Sequence, residues 1–342
     1  MKIEERVNLQ PLNTLAAPSK ARFYARATNE QELRQALRWA AKHQKPVSVL
    51  GGGSNSLLPE EIPGLVVQPA LRGITLEEET ERHYQICAAA GENWHRFVMF
   101  CLAKNYYGLE NLASIPGCVG AAPIQNIGAY GVELQDVFVS LRAMHRKTYE
   151  VVTFTREQCE FGYRESIFKN RLKDQYVIVS VTFKLFKQAQ IKADYPALKA
   201  ALSGVRRAMI TPNIIAHTVS SIRKEKLPDP LLIPNCGSFF KNPVVDTQLI
   251  DELKQLYPDL VYFDLGDHKN KIAAGWLIEK SGWKGKEAFE ACVHDKQALV
   301  LTNPHRKPAK NIVKLAGAIQ SSIRQRYGIE LEQEPQWLKP AS

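Results

Sequence analysis

A chain of 342 residues, 45% apolar and 23% charged, is long enough for about two or three domains and has the composition of a packed globular protein, which excludes a fibrous or low-complexity chain. No run approaches the roughly 18 apolar residues of a membrane helix, and the opening MKIEERVNLQPLNTL lacks an apolar signal core, so a cytoplasmic address without membrane insertion is expected. The formal charge is +10, yet no basic stripe with stacking aromatics accompanies it, so nucleic acid is not an expected partner; a field of that sign suits phosphate-rich small molecules.

The six cysteines form no C-x-x-C pair and no histidines have metal-ligand spacing, so reduced thiols and no metal site are expected. In chain order, NEQELRQALRWAAKHQ (29–44) predicts a helix, with Asn29 as N-cap and Leu33, Leu37 and Trp39–Ala40 on one side. KPVSVLGGGSN predicts a buried strand entering a glycine loop, GLVVQPA and HYQICAAAG two further strands, and NWHRFVMFCLAKN (93–105) a helix. The stretch IPGCVGAAPIQNIGAYG (115–131) then carries no charge, four glycines and two prolines, and reads as a long backbone-rich loop rather than a helix or strand. VFVSLRAMHR, TYEVVTF and YVIVSVTFKLFK alternate as strands do. A boundary is expected near 188–215, followed by a second α+β unit with a helix near 246–257, a strand in QALVLTNP and a long helix from about 308 to 327.

VLGGGSNSLLP (49–59) is not a Rossmann fingerprint, because the third glycine is replaced by Ser56 and Pro59 stands too close for a helix to open. Such a loop can be a plain tight turn, or it can aim several N–H groups at a diphosphate. The uncharged stretch can likewise be a buried structural loop, or a bed on which a flat ligand meets main chain, with Gln125 and Asn126 adding amides. Two such loops in one α+β unit favour a large cofactor with a diphosphate and a ring system.

Together, LGGGSN, ENLASIPGCVGAAPIQNIGAYG, FGYRESIFK and GSFFKNP resemble the UDP-N-acetylenolpyruvoylglucosamine reductase family, from about Asn13 to Glu334. The resemblance implies an α+β fold: a vanillyl-alcohol-oxidase (PCMH)-type FAD-binding unit of two α+β subdomains and a C-terminal substrate domain. The expected bounds are 13–188 for the FAD unit (subdomains about 1–70 and 71–215), 216–330 for the substrate domain, and 331–342 for a tail returning to the site. It implies FAD as cofactor, NADPH as co-substrate and UDP-N-acetylglucosamine enolpyruvate as substrate. Gly51, Gly52, Gly53, Ser54, Asn55 and Ser56 would take the diphosphate; Ser114, Ile115, Gly117, Gly120, Ala121, Ile124 and Gly128 would line the ring and ribityl chain. Many members carry a hydroxyl in the pair that is Ala121–Ala122 here, so a hydrogen bond to the flavin is missing or replaced.

By the same resemblance, Arg164 stabilises an enolate, Ser238 donates a proton and Glu334 assists, with Glu332 as the alternative because Gln333 separates two acids in IELEQEPQ. Tyr163, Tyr195, Arg223, Lys226, Asn242 and Gln297 are implied substrate contacts. Read singly, Arg164 could be a surface residue paired with Glu160 or Glu165, Ser238 a helix cap, and the tail acids a solvated face. A monomer is expected. Another flavoprotein oxidoreductase of the same cofactor fold, or a basic nucleotide-binding protein, are the competing readings.

Overall fold

The two N-terminal sheets differ in strand direction. The computed structural model describes residues 1–339; the last three residues of the expected tail lie outside the described residues. In the first sheet, β1 (Glu4–Asn8) runs antiparallel to β2 (Lys20–Ala27), while β5 (Glu61–Pro69) lies parallel to β2 and to β3 (Val47–Val49). In β5, Gly64 to Val67 are buried in succession, as a parallel strand covered on both faces must be. Leu65 and Val67 pack with Leu33, Ala36 and Leu37 of α1 (Glu30–Lys42), and Ile62 and Val66 with Leu9, Leu50 and Leu58. Asn29 caps α1 as expected, its Oδ1 accepting the Glu32 N–H at 2.9 Å. After the glycine loop comes β4 (Ser56–Leu57), whose partner arrives from the far end of the chain.

The second sheet is antiparallel: β6 (Ile74–Glu79), β7 (His83–Ala89), β10 (Phe138–His145), β11 (Val151–Thr155) and β12 (Tyr176–Phe186), in the order β11-β10-β12-β7-β6. Between β7 and β10 lie α2 (Trp94–Ala103) and the uncharged stretch, which ends in the small hairpin β8 (Gly128–Ala129) and β9 (Val132–Glu133). Strand β12 serves two cores. Val177 and Val179 join the α1 cluster, and Val181, Phe183 and Leu185 join the one around Trp94 and Phe97.

Two features differ from the sequence reading. The uncharged stretch is not loop throughout, since Val119–Gln125 is a 3-10 helix. The Val119 and Gly120 N–H groups donate to the distant Glu92 and Ala90 carbonyls, and Val119, Ala122 and Pro123 are buried, so tertiary contacts override the poor helix propensity of glycine and proline. The expected boundary at 215–216 also falls inside α4 (Pro212–Lys226). Leu198 of α3 (Pro196–Ala201) and Ile215, Val219 and Ile222 of α4 belong to the core of the second sheet.

Beyond α4, β13 (Asn235–Ser238), β17 (Glu287–Ala288), β18 (Ala291–Val293) and β19 (Val300–Thr302) form a sheet in the order β13-β19-β18-β17. A second small sheet holds β14 (Val244–Asp246), β15 (Tyr262–Gly266) and β16 (Lys269–Ile272), followed by α6 (Ala274–Lys280); α5 (Thr247–Leu256) precedes β15. Ile312, Leu315, Ile319 and Ile323 put one face of α7 (Ala309–Tyr327) into this core. Past α7 the chain returns as β20 (Gln336–Trp337), parallel to β4, with Gln336 opposite Ser56 and Trp337 opposite Leu57.

Candidate functional site

The glycine loop and the uncharged stretch meet backbone to backbone. A Cβ on Gly52 would stand 3.0 Å from the Gly117 Cα, so neither loop could come this close with a side chain there. Asn55 fastens them, its Nδ2 donating to Gln125 Oε1 at 2.8 Å, and Ser54 Oγ donates to the Pro116 carbonyl at 3.3 Å. Between them opens a cavity of about 1390 Å³. Gly51 to Ser56, Ile115, Gly117, Gly120, Ala121, Ile124 and Gly128 line it, together with Arg164, Arg223, Ser238 and Glu334. Two expected contributors turn away. The Ser114 hydroxyl shares a 2.8 Å hydrogen bond with Ser220, and Asn126 is buried, donating to Glu133 and to the Gly162 carbonyl.

Arg164 sits in a tight turn in which Gly162 and Glu165 exchange backbone hydrogen bonds of 3.1 and 3.2 Å. Its φ is +56°, a left-handed conformation that costs a non-glycine residue about 1–3 kcal/mol and persists only where the surroundings enforce it. The side chain is fixed at both ends. Nη2 donates to the Gly128 carbonyl at 2.6 Å, and Nε lies 3.7 Å from Glu334 Oε1. The local acids are taken elsewhere: Glu160 pairs with Arg171, and Glu165 with Lys169 and Lys241.

Glu334 is buried, 9% exposed. Its N–H donates to the Phe239 carbonyl at 2.9 Å, and its own carbonyl accepts from Asn55 Nδ2 at 3.4 Å, so the tail is held between the strand of Ser238 and the glycine loop. Burial raises the Glu334 carboxyl above its ordinary range; Arg164, Lys169 and Lys241 oppose that shift. Glu332 by contrast is 62% exposed, pairs with Lys241 at 2.6 Å, and does not line the cavity. Ser238 ends β13, half-buried, opposite Val300, with Gly237 before it at φ +75°.

A family model described as UDP-N-acetylenolpyruvoylglucosamine reductase, C-terminal domain, matches residues 229–338, and one described as FAD binding domain matches residues 21–154. A UDP-N-acetylenolpyruvoylglucosamine reductase of Pseudomonas fluorescens (strain Pf0-1) is 43% identical over 98% of each chain. One of Paraburkholderia phymatum is 46% identical over 96% of this chain and 95% of that one. The chain belongs to the UDP-N-acetylenolpyruvoylglucosamine reductase family. The crystal structure of the Thermus caldophilus UDP-N-acetylenolpyruvylglucosamine reductase (MurB) matches its fold with a TM-score of 0.67 at 23% identity, covering 98% of this chain and 99% of that one.

The expected α+β fold is therefore the observed one, and this reductase carries an FAD-binding domain. The cavity fits that cofactor. It is larger than the roughly 300–1,000 Å³ of ordinary small-ligand pockets, the two loops give it main chain and small side chains, Trp94, Phe168, Tyr176 and Trp337 add larger rings, and Arg164, Arg223 and Lys169 add positive charge. No helix of the described residues is long and apolar enough to cross a membrane.

The implied substrate residues divide. Arg223 lines the cavity and its Nε donates to the Ser114 carbonyl at 3.2 Å. Tyr163 lies outside the lining, with Arg164 at 5.3 Å and Lys271 at 4.8 Å from its ring. Tyr195 precedes α3 and meets Tyr130 edge-on at 5.4 Å, and Lys226 is exposed at the end of α4; neither lines the cavity. Asn242 accepts the Ala274 N–H at 2.9 Å, capping α6, and the Gln297 N–H donates to His294 Nδ1 at 3.2 Å; both stand outside the lining. Sequence reasoning passes over Lys169, which lines the cavity and donates to the Arg164 carbonyl at 2.9 Å; its place in the FGYRESIFK motif is the signal for it.

Proposed function

We propose that this reductase converts UDP-N-acetylglucosamine enolpyruvate to UDP-N-acetylmuramate with NADPH, as a cytoplasmic monomer supplying peptidoglycan precursor. Bound FAD supplies the chemistry that lets one hydride pass from NADPH to the vinyl CH₂ carbon of the substrate. A hydride added there drives an electron pair toward the substrate carboxylate, and a proton must then reach the neighbouring carbon. Gly51 to Ser56 would hold the cofactor diphosphate, and Ile115 to Gly128 its ring.

Arg164 meets the needs of the developing enolate, because its planar guanidinium stays charged and its position is fixed by Gly128 and Glu334. Ser238 is the proton donor in this reading, and Glu334, buried beside Arg164, joins it in stabilising the enolate. Arg223 would face a substrate phosphate. Tyr163, Tyr195, Lys226, Asn242 and Gln297 would contact substrate only through closure around it. The observation that supports the reading most is that Arg164, Ser238 and Glu334, from three distant segments, line one cavity with the two backbone loops.

The test is an anaerobic two-step experiment on the holoenzyme. NADPH should bleach the flavin absorbance, and the enolpyruvyl substrate should restore it with formation of UDP-N-acetylmuramate. A flavin that NADPH reduces but the enolpyruvyl sugar cannot reoxidise would overturn the substrate assignment.

A further inference from the structure

Lys241 follows Ser238 by three residues and is almost fully buried, 7% exposed. Its Nζ lies 2.5 Å from Glu165 Oε1 and 2.6 Å from Glu332 Oε1, and its N–H donates to the Glu332 carbonyl at 2.9 Å. Glu165 directly follows Arg164, and Glu332 stands two residues before Glu334. Lys169 closes the network, reaching Glu165 Oε1 at 3.2 Å and the Arg164 carbonyl at 2.9 Å. One buried ammonium thus joins the three segments that carry Ser238, Arg164 and Glu334. A lone buried ammonium is unfavourable, and two carboxylates offset its desolvation here. The left-handed backbone of Arg164 also requires enforcement, which the Glu165 and Lys169 contacts provide.

We propose that Lys241 is a positioning residue that sets Arg164 and Glu334 in register with Ser238. This rests on the roles given to those three residues above. Lys241 does not line the cavity, so its effect is indirect. The groups that act on Glu334 are Arg164, Lys169 and Lys241, which favour its carboxylate, and Glu332, which opposes it; Tyr163 and Cys236 are its other titratable neighbours. Removing Lys241 takes away one positive charge and frees the Glu332 negative charge. Both changes keep Glu334 protonated to higher pH.

Holoenzyme variants K241M, K241R, E332Q and E334Q would be followed through both half-reactions across pH. K241M should retain FAD and be reduced by NADPH within about threefold of the parent rate, while reoxidation by the enolpyruvyl substrate slows by up to about 10²-fold, the cost of a small misplacement. Its reoxidation profile should shift to higher pH, and K241R should recover most of the rate. Parental reoxidation with an unmoved profile in K241M would overturn the proposal. If K241M does not fold, E332Q carries the test. E332Q, altered at an exposed partner, should slow reoxidation more than reduction, and parental reoxidation in E332Q would overturn the proposal. If E334Q keeps the parental pH profile, the role given to Glu334 fails; if E334Q flattens it and K241M leaves it in place, only the Lys241 proposal fails.

Discussion

Gln336 lies in parallel register opposite Ser56, so the end of the chain forms a strand on the glycine loop. The pairing fixes Glu334 two residues upstream, and Trp337 anchors it by packing on the C-terminal core. Trp337→Ala should therefore cost about 2–4 kcal/mol, somewhat less than a fully buried tryptophan, and should slow substrate-driven reoxidation more than flavin reduction. Thermal unfolding and stopped-flow absorbance check the two parts; equal slowing of both half-reactions would disconnect the tail from Glu334.

Gly128 tells a related story from the other side of the site. A Cβ there would stand 3.0 Å from Arg164 Nη1, from Glu133 Cγ and from the Val132 carbonyl. Gly128→Val is thus expected to push Arg164 off the Gly128 carbonyl as well as to crowd the cofactor bed. FAD content should fall, and the enzyme that does bind FAD should show a raised KM for the enolpyruvyl substrate. Full FAD occupancy with normal turnover would remove this glycine from the site.

Much of this arrangement is legible in the sequence, because the loops, Arg164 and Ser238 sit in long, ordered motifs; Glu334 sits in a short acidic tail where sequence alone leaves Glu332 as an alternative. What is not legible is what depends on distant partners. Lys241 reads as one more lysine in FFKNP, since its acids come from residues 165 and 332. Strand β6, ITLEEE, is exposed at the sheet edge and shows no apolar alternation, and β2 buries mainly alanines, so neither has the hydrophobic pattern of a strand. Arg164 has acids at 160 and 165 close by in sequence, yet its partner is Glu334, while Glu160 pairs with Arg171 and Glu165 with Lys169 and Lys241.

The alanine pair separates cleanly in space. Ala121 is exposed on the cavity and Ala122 is 2% exposed in the core. Ala121→Ser should leave apoprotein stability within about 0.5 kcal/mol, as surface changes do, and tighten FAD. Ala122→Ser buries a hydroxyl and should cost about 1–3 kcal/mol unless it finds a partner. Thermal melts with and without FAD decide between them; a stable Ala122→Ser protein would mean that the buried hydroxyl is satisfied.

Burial raises the Glu334 carboxyl, and the sign of its effect on stability follows. The folded state binds a proton more tightly than the unfolded state. The stabilisation is complete below the unfolded value and is lost as pH rises through the folded one. Glu334→Gln removes this term, so the variant should gain stability relative to the parent apoprotein as pH rises from the ordinary carboxylate range through the raised folded value. Melting curves across that range test it, and a Tm difference that is flat with pH would show that the Glu334 carboxyl is not raised by folding.

Ser238 separates the two half-reactions most sharply. In the proposed reaction both pass hydride, but only the second leaves a carbon that needs a proton, so a proton donor would have no task while NADPH reduces the flavin. Ser238 lines the cavity and Gly237 precedes it with no side chain, so alanine at 238 removes an oxygen without disturbing β13. Ser238→Ala should bind FAD and be bleached by NADPH at nearly the parental rate. Reoxidation by the enolpyruvyl substrate should then fall by about 10²–10⁴-fold, the usual worth of general-acid help. Arg164→Lys should also fail mainly in the second step, since an ammonium keeps the charge but not the planar fork. If Ser238→Ala reoxidises as fast as the parent, another group delivers the proton, and the raised carboxyl of Glu334 becomes the leading candidate. If NADPH cannot reduce the variant at all, Ser238 serves the nicotinamide or flavin instead.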